Sequence, residues 1–87
     1  MVSTGKVRAD RNLLKAARVN LGLDQEQLAK AAGIARMTVS SFENGKAAPH
    51  ESTREAIQQA LEARGIVFTN GDLPGFYFDK SKVIIPT

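Results

Sequence analysis

The chain has 87 residues, 43 % hydrophobic and 24 % charged, enough for one modest core and too few for two. It holds no cysteine, which excludes disulfides and thiolate metal sites, and no apolar run near the roughly 20 residues needed to span a bilayer. A formal net charge of +3 favours a polyanionic partner, and the bias sits early: Lys6, Arg8, Arg11, Lys15 and Arg18 precede Asp24 with only Asp10 among them.

Residues 1–9 read as a loose basic arm. They contain no apolar stretch and are not expected to act as a secretory signal. Asp10 is placed to cap a first helix, in which Leu14, Ala17 and Leu21 repeat at spacings of three and four. Gly22 is expected to end it. Asp24 caps a second helix, with Gln27 placed to reach back as its capping-box partner. Leu28, Ala29 and Ala32 form the inner face, Glu26 and Lys30 point outward, and Gly33 breaks the helix.

Ile34 follows in the turn, and a third helix is predicted from Arg36 to Asn44. At about 100° per residue, Thr38, Val39 and Phe42 share one side. Arg36, Met37, Ser40, Ser41 and Asn44 share the other, Glu43 falls between, and Gly45 closes the helix. Residues 46–50 form a loop. Ser52 with Glu55 is expected to be a capping box opening a fourth helix, whose apolar face is Ala56, Ile57, Ala60 and Leu61 and whose stop is Gly65. The pattern then changes. Residues 66–69 and 76–78 are β-branched and aromatic, separated by the turn formers Asn70-Gly71-Asp72 and Pro74-Gly75. Val83-Ile84-Ile85 is a third short β-prone run before Pro86. The expected fold is mainly α: a compact four-helix unit over residues 10–65, then a short C-terminal β-hairpin or strand segment over 66–87.

Two short helices joined by a tight glycine turn are the skeleton of a helix-turn-helix, whose second helix fits the DNA major groove. Ala29, Ala32 and Gly33 let the two helices approach, and Ile34, Val39 and Phe42 fix their angle from inside. The outward face of the third helix carries short polar residues and one arginine. A merely solvated helix favours Glu–Lys pairs instead.

The segments Leu21-Gly22-Leu23-Asp24-Gln25-Glu26-Gln27-Leu28-Ala29, Ala32-Gly33-Ile34 and Thr38-Val39-Ser40-Ser41-Phe42-Glu43-Asn44-Gly45-Lys46 resemble the XRE family, the phage repressor and Cro-like regulators. The likeness covers about Lys15 to Leu61, with no gap in the helix-turn-helix. The stretches 52–66 and 70–75 resemble a bacterial subgroup of small XRE-type regulators. The resemblance implies a sequence-specific regulator of double-stranded DNA, expected to be a repressor acting as a homodimer on a palindromic operator, in the cytoplasm of a bacterium or with a phage origin. It implies that Gln25 contacts the DNA backbone and buttresses the reading helix. It implies base contacts from Arg36 and Met37, further groove contacts from Ser40 and Ser41, and phosphate contacts from Asn44 and Lys46. It also implies a structural ion pair between Arg18 and Glu43. Two residues depart from the pattern. Ala35 stands where a capping serine or threonine is common, and Met37 can touch a thymine methyl but cannot hydrogen-bond a base.

His50 is the only histidine and has no cysteine beside it, so no metal is expected, and no other cofactor. No glycine-rich phosphate loop follows a strand and no nucleophile–base–orienter set is visible, which leaves an enzyme without support. Phe76, Tyr77, Phe78, Val83, Ile84 and Ile85 are too apolar for full exposure on so short a chain. They either pack as a hairpin on the fourth helix or pair across a two-fold axis, and Phe76, Phe78 and Ile84 are the expected dimer contacts. The competing function is an antitoxin or antiactivator type of interaction module, whose partner is another protein and whose DNA binding is autoregulatory. A tail that folds only on that partner would mark it.

Overall fold

The first free N–H groups of a helix need acceptors, and the sequence supplies them at two helices and not at the other two. In the computed structural model, which describes residues 7–46, 50–70 and 74–84, the helices are α1 (Arg11–Asn20), α2 (Gln25–Ala32), α3 (Arg36–Asn44) and α4 (Glu51–Glu62). Asp10 accepts from the Leu13 N–H at 2.9 Å. Asp24 accepts from the Gln27 N–H at 2.7 Å while the Gln27 side chain accepts from the Asp24 N–H at 2.9 Å, which completes the capping box. Such caps contribute about 1 kcal/mol each. Ala35 and His50, which precede α3 and α4, give no side-chain cap.

The expected Ser52–Glu55 capping box does not form. The helix starts at Glu51, so Ser52 already lies inside its first turn. The His50 carbonyl accepts from the Thr53 and Arg54 N–H groups, and the Glu51 carboxylate is held by Arg54 at 2.6 Å and Arg8 at 3.0 Å. The first turn therefore begins two residues earlier, with Glu51 held in it by that ion pairing.

Gly33 and Gly45 close α2 and α3 with φ of 72° and 66°, the left-handed conformation that costs glycine nothing. At each, the following N–H returns to a carbonyl five residues back, Ile34 to Ala29 and Lys46 to Ser41. Gly65 does a different job from the one expected of it. Helix α4 ends at Glu62 with Ala63 as its cap, and Gly65 lies in β1 (Arg64–Thr69) at φ 97°. A Cβ there would sit 2.7 Å from Phe78 Cε1 and 2.9 Å from the Asp79 carbonyl oxygen. Glycine is therefore required opposite the bulge of the hairpin's second strand, not as the stop of the helix.

β1 pairs antiparallel with β2 (Gly75–Val83), matching Ile66 to Phe78, Val67 to Tyr77 and Phe68 to Phe76. At the bulge, Gly65 alone faces residues 79–82, where Asp79 accepts from the N–H and hydroxyl of Ser81. Among the described residues, the last β-prone run forms no third strand. Val83 ends β2, the Ile84 N–H bonds the Ala63 carbonyl at 2.8 Å, and Ile85 lies outside the described residues.

The core gathers faces from the four helices and β1, Leu14 and Ala17, Leu28 and Ala29, Val39 and Phe42, Ile57, Ala60 and Leu61, then Ile66 and Phe68, with half-buried Phe76 of β2 packed against it. β1 lies on α4 and β2 reaches α1. Residues 7–9, expected as the end of a loose arm, are strapped across α4. The Ala9 N–H donates to Gln58 Oε1 at 2.9 Å, Gln58 Nε2 donates to the Val7 carbonyl at 2.5 Å, and Arg54 Nη1 donates to the Ala9 carbonyl at 3.1 Å. Residues 1–6 lie outside the described residues.

Candidate nucleic-acid interface

α2 and α3 meet through Gly33-Ile34-Ala35, with Ile34 half-buried against the core. Val39 and Phe42 turn α3 inward, so the opposite face of the helix must look out. That face carries Arg36, Met37 and Asn44, all exposed, with Ser40 and Ser41 half-buried between them. Met37 is 73 % exposed, far more than an apolar side chain gains from in water. Lys46 follows, also exposed. Neither the Arg36 nor the Lys46 side chain makes a hydrogen bond or ion pair among the described residues. The one bond along this face is long, from Asn44 Nδ2 to Ser40 Oγ at 3.4 Å.

Beneath the face lies one buried carboxylate. Glu43 accepts from Arg18 Nε at 2.7 Å and Arg18 Nη2 at 3.0 Å, a bidentate pair. Gln25 Nε2 adds a third bond to the same carboxylate at 3.0 Å, and Arg18 Nη1 donates to the Leu23 carbonyl at 2.7 Å. Arg18 is thus turned inward, away from the outer face of α3. Gln25 begins α2 and, with Arg36, Asp24, Glu26 and Arg18, lines a shallow open hollow beside the start of α3. The Gln25–Glu43 bond ties the start of α2 to α3, the buttressing contact the family resemblance implies for Gln25, although its spacing alone does not show that Glu43 is the partner.

A second polar cluster also went unread. Arg54 and Gln58 are buried on α4, and Gln58 Nε2 also donates to Glu62 at 3.0 Å. Their spacing, with Glu51 and Glu62, is a row of polar residues three and four apart, the one signal that could have marked them.

A family model described as Helix-turn-helix matches residues 14–65, more than half of the chain. The chain belongs to the XRE, or Cro-like, helix-turn-helix family. Comparison with curated proteins gives no match. As a helix-turn-helix regulator it is a DNA-binding protein of a regulatory rather than an enzymatic family, and its partner is double-stranded DNA. The described residues contain no group of three His, Cys, Asp or Glu able to hold a metal, and no helix among them is long and apolar enough to cross a membrane.

The expected dimer contacts of this helix-turn-helix protein separate in space. Phe76 packs on the core with its ring 6.2 Å from that of Phe68 and tilted by 58°, so it is largely committed within the chain. Phe78 and Ile84 are 50 % and 80 % exposed, with Tyr77 at 51 % beside them.

Proposed function

We propose that this helix-turn-helix protein is a sequence-specific repressor that binds a palindromic operator as a homodimer, with α3 in the major groove. The carrying observation is the outward face of α3. It pairs open polar donors with an exposed methionine and has no acid, because the only carboxylate of the helix is buried in the Arg18 pair. In this reading Arg36 and Met37 touch base edges, with Ser40 and Ser41 following along the groove. Gln25, whose amide nitrogen has a second N–H beyond its bond to Glu43, Asn44 and Lys46 hold the phosphates.

Two reading helices must stand about 34–36 Å apart to meet successive grooves. The exposed Phe78 and Ile84 support a dimer contact on the hairpin. The hairpin is already folded against α4 and α1, which favours the regulator over an interaction module whose tail folds on a partner.

Genomic footprinting tests the reading: it should reveal protected sites with two-fold symmetry overlapping promoters. A dimer neutralising about six phosphates should show a log–log salt slope near −5. Protection without symmetry, or a flat salt response, would sink it. Because Ile66 and Phe68 are buried, removing the hairpin would open the core, so the dimer is better tested by Phe78→Ser with Ile84→Ser in sedimentation.

A further inference from the structure

Arg11 is the first residue of α1, a position where the helix dipole favours an acid and disfavours a cation. The first turn of α1 contains no acid to offset it. The acidic N-cap Asp10 stands beside it, but the two form no ion pair. In space its guanidinium crosses to the far end of α3. A Cβ built on Gly45 would coincide with Arg11 Nη1 and would lie 2.9 Å from Cζ and 3.5 Å from Nη2. Gly45 is required by the left-handed turn at φ 66°, and the space a Cβ would take there is filled by the Arg11 guanidinium. The partly negative C-terminus of α3 favours a cation at this seat.

The side chain is exposed and makes no hydrogen bond or ion pair among the described residues. Its five N–H donors, in a planar fork suited to phosphate, are open beside Asn44 and Lys46. We infer that Arg11, seated on Gly45, is a further DNA-phosphate contact that clamps the backbone at the C-terminal end of α3. The inference rests on α3 entering the groove. The competing role for Arg11 is only to complement the negative end of α3, which would affect stability and leave DNA untouched.

The test is binding of the full chain to its selected operator and to a random duplex over a range of salt. Arg11→Ala, Arg11→Lys, Lys46→Ala and Arg36→Ala are compared, with thermal melting of each. Arg11→Ala should weaken both duplexes about tenfold. It should also flatten the log–log salt slope by about 0.9 per bound protomer, leaving sequence preference unchanged. Arg11→Lys should restore the slope but only part of the affinity, since a lysine keeps the charge and loses the fork. An unchanged slope in Arg11→Ala, while Lys46→Ala lowers it, overturns the Arg11 contact alone, whatever happens to melting. A wild-type chain that binds neither duplex overturns the groove reading and this contact with it.

Discussion

Two polar regions of the molecule use their side chains in opposite ways. Along the strap at residues 7–9, the groups that leave water meet one another: Ala9 and Val7 bond Gln58, and Arg54 divides its guanidinium among Glu51, Gln58 and the Ala9 carbonyl. Across the outward face of α3, Arg36 is open and Ser40 shares one long bond with Asn44. Burial explains the difference. Arg54 and Gln58 are 6 % and 2 % exposed, and leaving such groups unpaired would cost about 1–3 kcal/mol each. The α3 face is wet and makes no such demand. Donors satisfied within the chain hold the fold, and donors left open on a well-anchored helix are available to a partner.

The sharpest way to test that contrast is to break the buried pair beneath the open face. Glu43→Ala leaves Arg18 and Gln25 without their acceptor and should cost about 3–5 kcal/mol in a urea titration. A loss below about 1 kcal/mol would mean the carboxylate is solvated in practice. Gln58→Ala removes the acceptor of the Ala9 N–H and should cost roughly 2–3 kcal/mol, with fast amide exchange at Ala9. Retained protection there would show that the strap is held by something other than Gln58.

On the open side, Arg36→Ala should leave stability within about 0.5 kcal/mol. It should remove about 1–3 kcal/mol of operator discrimination, seen as relaxed preference at one base pair per half-site. A variant that melts early but reads its site normally would reverse the assignment. The smallest effect concerns Glu51, whose carboxyl is held down to about 2 from the ordinary 4.5 by hydrogen bonds from Arg54 and then Arg8. A carboxyl depressed in the folded state adds stability above its unfolded pKa and loses it as pH falls through the folded value. The melting temperature should therefore fall more steeply between pH 4.5 and 2 in the wild type than in Glu51→Gln. Parallel curves would show that the exposed ends of this network contribute nothing.

Where structure is decided by neighbours in sequence, it was legible. Asp10, Asp24 with Gln27, Gly33 and Gly45 place the ends of three helices because each acts within five residues of itself. The two faces of α3 follow from its period, and Val39 and Phe42 are buried as that period requires. Legibility fails where a distant partner decides. Ser52 with Glu55 has the form of a capping box, but Arg8, more than forty residues away, joins Arg54 in holding Glu51 and the helix starts earlier. Gly65 looks like a helix stop until Phe78 and Val83 are folded against it. The last residues of the basic arm could not be told from the strap they form, since their partners Arg54 and Gln58 look like surface residues of an amphipathic helix.

Three helices converge on the Glu43 carboxylate: α3 carries it, α1 sends Arg18, α2 sends Gln25, and Arg18 also holds the turn before α2 through Leu23. The consequence is one of entropy. A reading helix that could roll or fray against its neighbours would have to be ordered when it docked, at about 0.5–1.5 kcal/mol for each immobilised side chain. Here much of that freedom is surrendered during folding, so in the proposed docking α3 would approach DNA as part of a rigid three-helix body. Loosening the knot conservatively at a residue turned away from the DNA face, as in Arg18→Lys, should therefore appear in calorimetry as a less favourable entropy of binding.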